Sequence, residues 1–122
     1  MALHPTEINL HKQSRVLEIT FEDGSTFNFP AEYLRVFSPS AEVQGHGPGQ
    51  GKLQIGKEDV GIDNIVMVGN YAIQIYFDDN HNTGIYSWET LYDLGRNYER
   101  YWADYLRRLK DAGYQRQAPA SD

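Results

Sequence analysis

Residues 15–30, RVLEITFEDGSTFNFP, decide how this chain begins to fold. Leu17, Ile19 and Phe21 alternate with Glu18, Thr20 and Glu22. Beyond Asp23-Gly24, Phe27 and Phe29 alternate with Thr26 and Asn28. Successive side chains of a strand point to opposite faces, so a period of two on both sides of an Asp-Gly pair predicts a hairpin with one apolar face. Its turn is expected to hold both Asp23 and Gly24 at positive φ.

Upstream of the hairpin, residues 1–7 read as a loose lead-in and His11 as decoration on a strand edge. Downstream, PAEYLRVF (30–37) reads as a short helix ended by Ser38-Pro39. VQGHGPGQGK (43–52) is a glycine-rich loop. It fails as a phosphate loop, because His46 stands where the first glycine is needed and Leu53 follows Lys52. Residues 60–68 are rich in β-branched side chains, and Gly69-Asn70 makes a turn. Tyr71, Ile73, Ile75 and Phe77 then alternate with Ala72, Gln74 and Tyr76, and Ile85-Tyr86 forms a last short strand.

Ser87 is the expected N-cap of a helix over WETLYDL, with Glu89 near its positive end and Gly95 as its stop. Asn97 is expected to cap YERYWADYLRRLKDA (98–112), which Gly113 ends. Leu91, Leu94, Tyr98, Tyr101, Tyr105 and Leu109 recur at three- and four-residue spacing and would dock both helices on the sheet. The fold class is therefore α+β: a mostly antiparallel sheet built from hairpins, a short helix after the first hairpin, and two C-terminal helices packed on it. One domain is expected over residues 1–113, with 114–122 as a flexible tail.

Composition narrows function by exclusion. The 122-residue chain carries a net charge of -6, which disfavours binding nucleic acid through counterion release. Zero cysteines exclude disulfides, thiolate nucleophiles and Cys-ligated metal. No apolar run approaches the ~20 residues of a membrane span, and MALHPTEINLHK lacks a signal-peptide core, so a cytoplasmic protein is expected.

The densest group of reactive side chains is FDDNHNTGIYSWETL (77–91), with Asp78, Asp79 and His81 together after a strand. Three readings stand: a solvated turn, a ligand-binding or contact site, and an acid–base set. No serine lies in a nucleophile-elbow sequence. No histidine has a carboxylate two positions later, the usual signature of a non-haem iron triad.

LEITFEDGSTFNFPAEYLRVFSPSAEV together with VGNYAIQIYFDDNHNTGIYSWETLYDLG resembles the gamma-butyrobetaine hydroxylase-like N-terminal domain family over about residues 10–95. The carrying motifs are the D-G hairpin, L-R, G-N-Y-A and F-D-D-x-H-x-x-G-I-Y-S-W. The resemblance implies a small domain that precedes a catalytic jelly roll in oxygenase members and also occurs alone in bacteria. That second domain would not fit in this chain, so no enzymatic activity and no cofactor are expected. It also implies a zinc site of three cysteines and one histidine. Ser38, Ser40 and Val43 stand at the cysteine positions and His81 at the histidine, so no metal is expected here. The Ser38–Val43 segment is nevertheless expected to lie beside the His81 loop.

Relatives fused to, or near, scaffold proteins of iron–sulfur cluster assembly imply a non-catalytic adaptor role with a protein partner. The expected contact surface comprises His81, Asp78, Asp79, Asn82, Tyr86, Trp88, Arg35, Ser38 and Ser40. The alternative is a small-ligand or regulatory domain for a cationic metabolite, with Tyr71, Tyr76, Tyr86 and Trp88 available as a cage.

Overall fold

The hairpin of residues 15–30 forms with the expected faces and a different turn. The structure, a computed structural model, describes residues 3–40, 43 and 52–116. Most of the glycine-rich stretch, 44–51, and the end of the expected tail, 117–122, lie outside the described residues. Strands β1 (Pro5–His11), β2 (Val16–Phe21) and β3 (Thr26–Pro30) make one antiparallel sheet in that order. Leu17 pairs with Phe29 and Ile19 with Phe27, so the apolar side chains share one face. Of the turn pair only Gly24 takes positive φ, at 87°. The Gly24 N–H donates to Phe21 O at 2.9 Å and the Phe21 N–H to Ser25 O at 2.8 Å. The loop thus has three residues, Glu22 to Gly24, with the left-handed one last, a conformation glycine enters without a Cβ penalty.

The end of the expected lead-in, residues 5–7, opens strand β1, which sets Ile8 opposite Ile19 and Leu10 opposite Leu17. Its signal is weak because it is an edge strand, half-buried, with a register irregularity between Pro5 and Glu7. Helix α1 (Ala31–Val36) follows, all six of its residues buried. Strands β4 (Ile62–Val68), β5 (Ala72–Phe77) and β6 (Ile85–Ser87) form a second antiparallel sheet in that order. Helices α2 (Trp88–Arg96) and α3 (Tyr98–Asp111) complete an α+β fold of two three-stranded sheets. The sheets share one core: Leu17, Ile19, Phe21 and Phe29 meet Ile62, Ile73, Ile75 and Phe77 around Tyr33, Leu34 and Leu91.

The helix ends show which local signals prevail. Ser87 Oγ accepts the Thr90 N–H at 3.1 Å, as a capping serine should. Asn97 does not cap α3; its amide instead donates to Asp93 O and Oδ1 at the end of α2. Gly95 does not end α2 but lies inside it, where a Cβ would fall 2.4 Å from the Phe27 ring. Close helix–strand approach, not termination, explains that glycine. After α3, Tyr114 N–H reaches Leu109 O and Gly113 N–H reaches Lys110 O, the paired bonds of a Schellman stop.

Residues 114–116, expected in the flexible tail, are bound down. The Arg116 guanidinium pairs with both carboxylate oxygens of buried Glu32, and Tyr114 donates to Glu58 Oε2 at 2.6 Å. Tyr33 of α1 donates to Leu94 O at 2.7 Å and Tyr105 of α3 to Gln54 O at 2.5 Å, so tyrosine hydroxyls hold the C-terminal helices by hydrogen bonds as well as burial. No described helix is long and apolar enough to cross a membrane.

Candidate functional site

FDDNH (77–81) folds as FEDGS (21–25) does. Phe77 N–H donates to His81 O at 3.0 Å and Asn80 N–H to Phe77 O at 3.3 Å, matching Phe21–Ser25 and Gly24–Phe21. The aspartate at the third position plays the same part in each: Asp79 Oδ1 accepts the His81 N–H at 3.2 Å and Asp23 Oδ1 the Ser25 N–H at 2.9 Å. Asn80 takes the glycine's place with φ of 69°, and Asn is among the few residues that tolerate that region. The loop is therefore a tight turn at the end of β5, and it delivers His81 inward.

His81 Nε2 lies 2.9 Å from Ser38 Oγ, just beyond α1. Ser38 is wholly buried and His81 is 6% exposed. The Ser40 N–H donates to Ser38 Oγ at 3.2 Å, and Ser40 Oγ meets Thr83 Oγ1 at 2.6 Å. Tyr86 donates to Leu34 O at 2.5 Å, joining β6 to α1. Burial pushes the Tyr86 hydroxyl upward in pKa, with hydrogen bonding to Ser38 and the Arg35 charge opposing only in part. Gly84 makes room for this contact: a Cβ there would fall 2.4 Å from Ser38 Oγ. The Ser38–Ser40 segment and the His81 loop are thus direct neighbours.

On the outer side, Asp79 Oδ2 receives Arg35 Nε at 2.8 Å and Lys57 Nζ at 3.1 Å. Arg35 also donates to Gln54 Oε1 at 3.1 Å. Burial alone would raise the Asp79 carboxyl, but hydrogen bonds from Lys57, Arg35 and the His81 N–H outweigh it and hold the carboxyl below its usual range.

This geometry separates the expected site residues. Asp78, Asp79 and Asn82 face outward, whereas Arg35, Ser38, Ser40, His81, Tyr86 and Trp88 are buried. Trp88 spends its indole N–H on Asn70 O at 2.8 Å. Lys57, Gln54, Thr83 and Gly84 belong to the site too. Only Gly84 had a legible cue, a glycine at a strand entrance where backbones approach closely.

Asp79 is not the acid of a charge relay, since it binds the backbone of His81 while Ser38 meets its ring. Among the described residues no three His, Cys, Asp or Glu side chains converge. Nor does the donor set suit zinc: Ser38 and Ser40 offer hydroxyls, Val43 only methyls, and His81 Nε2 is engaged by Ser38. What the corner does chemically is satisfy its own polar groups; no buried described side chain lacks a hydrogen-bond partner.

Residues 8–92 match the family described as gamma-butyrobetaine hydroxylase-like, N-terminal. The chain belongs to this family. A protein solved by NMR in solution is 41% identical over 100% of this chain and 94% of its own length, with a TM-score of 0.81. A second NMR structure is 45% identical over 98% of this chain and 89% of that one, at 0.82. A crystal structure from Acidithiobacillus ferrooxidans, of a DUF971 family protein of unknown function, is 40% identical over 75% of this chain and 92% of its own, at 0.64. No curated protein is significantly similar to the chain.

Proposed function

We propose that this domain is a non-catalytic protein-contact module serving metallocofactor assembly, iron–sulfur clusters above all, or the metabolism that depends on them. The supporting observation is the division of labour at the His81 corner. Its buried groups bond one another, while exposed Asp78 and Asn80 sit on a turn held in one shape by Asp79, Arg35 and Lys57, with exposed Asn82 just after it and exposed Pro39 on the neighbouring segment. A surface that is ordered beforehand loses little conformational entropy on binding. The link to cofactor assembly rests on the family resemblance alone.

Affinity capture from native lysate tests this, comparing the wild type with Asp78→Arg/Asn82→Arg. Both positions are exposed, so the variant should keep the wild-type circular dichroism spectrum. Loss of a defined set of metallocofactor-assembly proteins is expected. Identical captured sets would remove this surface from the reading. Loss of proteins unrelated to metallocofactors would keep the contact role and sink the cofactor link.

Of the four rings named for the cationic-metabolite reading, Tyr71 and Tyr76 remain accessible and two do not. Tyr86 is fully buried with its hydroxyl bonded to Leu34, and Trp88 is buried against Asn70, so neither presents a free face for a cage.

A further inference from the structure

The two sheets expose four edges, and they are not protected equally. Edge strands invite pairing with other chains unless they are short, charged, bulged or interrupted by proline. β6 has three residues. β3 has five and ends in Pro30. β1 begins at Pro5, has a register irregularity there, and carries Glu7 and the His11–Glu18 pair. β4 also has an irregularity, between Ile62 and Asn64, but its remainder, Asn64-Ile65-Val66-Met67-Val68, holds no charge and no proline.

The backbone of that segment has unused hydrogen-bonding groups. Ile75 N–H donates to Gly84 O and Trp88 N–H to Tyr71 O, so the odd-numbered residues of β5 face β6. Its even-numbered residues face β4, where Gln74 pairs with Val66 and Ala72 with Val68. By the same alternation Ile65 and Met67 point their N–H and C=O groups away from the sheet, and no described group bonds them. Val66 is 41% and Met67 57% exposed, on opposite faces of the strand. On the outer face Val66 continues through Gln74 to Ile85, itself 46% exposed.

We infer that this edge takes a second copy of the same chain, β4 against β4 antiparallel about a two-fold axis at Val66. This register alone lets the outward groups of Ile65 and Met67 bond Met67 and Ile65 of the other copy. It sets Val66 against Val66 in a non-hydrogen-bonded pair, where side chains approach most closely. It also places Asp63, the one charge on β4, opposite Gly69, so no like charges face each other. The paired strands would join two three-stranded sheets into one of six strands, with the Ile85–Gln74–Val66 row of one copy continued by that of the other. The surface is independent of the protein-contact reading, since Pro39, Asp78, Asn80 and Asn82 take no part in it.

Sedimentation equilibrium of the full chain gives the first test, with a monomer–dimer equilibrium in the micromolar range expected. Met67→Lys adds a like charge to each side of the interface without touching the core and should weaken dimerisation about tenfold or more. Met67→Pro removes one outward N–H per copy, a change that edge strands tolerate, and should act likewise. Asn28→Pro, the matching change on β3, should leave the dimer intact. The register has its own readout, because the chain has no native cysteine. Val66→Cys should form an intermolecular disulfide with diamide as oxidant, since Cα atoms of such a pair lie about 4.5 Å apart. Asn64→Cys and Met67→Cys, each facing a different residue in the partner, should not. A chain that stays monomeric at millimolar concentration, or a dimer untouched by both Met67 changes, or cross-linking that favours position 64 or 67, would overturn the inference.

Discussion

Replacing Ser38 by alanine tests whether the His81 corner holds the two halves of the domain together. The hydroxyl lies 2.9 Å from His81 Nε2 and accepts the Ser40 N–H at 3.2 Å. Ser38→Ala takes a partner from each of these buried groups. Leaving a buried polar group short of its partner costs about 1–3 kcal/mol, and two such losses sharing one site come to about 2–4 kcal/mol. Unfolding entropy of ~2.1 cal/mol/K per residue gives about 0.26 kcal/mol/K for 122 residues. The expected fall in Tm is therefore about 8–16 °C. Thermal unfolding followed by circular dichroism measures it, with urea unfolding to give the free energy. A double-mutant cycle with His81→Ala isolates the pair, and a coupling of about 0.5–2 kcal/mol is expected. A Ser38→Ala protein within about 2 °C of wild type, or additive effects in the cycle, would refute the reasoning.

Three further outcomes are expected. Gly95→Ala should destabilise, although helix propensity alone predicts a gain of about 1 kcal/mol, because its Cβ would fall 2.4 Å from the Phe27 ring; a higher Tm would show that the ring moves aside freely. Arg116→Ala leaves the 8%-exposed Glu32 carboxylate unpaired and should cost about 2–4 kcal/mol, tempered by the partial exposure of Arg116. Arg107→Ala, which breaks only exposed pairs, is its control, and equal effects of the two changes on urea midpoints would contradict the assignment. The Asp79 carboxyl is held below its usual range, so the folded state binds fewer protons than the unfolded state between the two pKa values. Its stabilisation is present above an unfolded pKa of about 3.9 and is lost as pH falls through the folded value. Asp79→Asn should flatten that acid-side loss, and parallel stability curves for the two proteins from about pH 6 to pH 2 would count against it.

Much of the fold was legible because its signals are local. Alternation over 15–30 and 71–77 reports strand faces, and Ser87 caps a helix through a bond to a residue three positions on. The edge strand β1 was not, since a half-buried strand carries no clean alternation and its pairing with β2 is a tertiary fact. Asn97 misled for a related reason: its side chain found the carbonyl and carboxylate of Asp93 before the N–H groups of α3. At the site, family motifs correctly brought Ser38 beside His81, but could not say which groups face solvent. Tyr86 and Trp88 were expected on a surface and are core residues, their polar atoms paired to Leu34 and Asn70.

By itself the sequence determined the hairpins, the helix start at Ser87, the absence of thiol chemistry and the family. Each of these depends on residue types at short, fixed spacings. Only the tertiary structure decided that FDDNH copies the FEDGS turn, that His81 points inward to Ser38, and that β4 is the least protected edge. Those outcomes depend on which distant segments take up a given polar group or leave it exposed, and composition and periodicity carry no record of that competition.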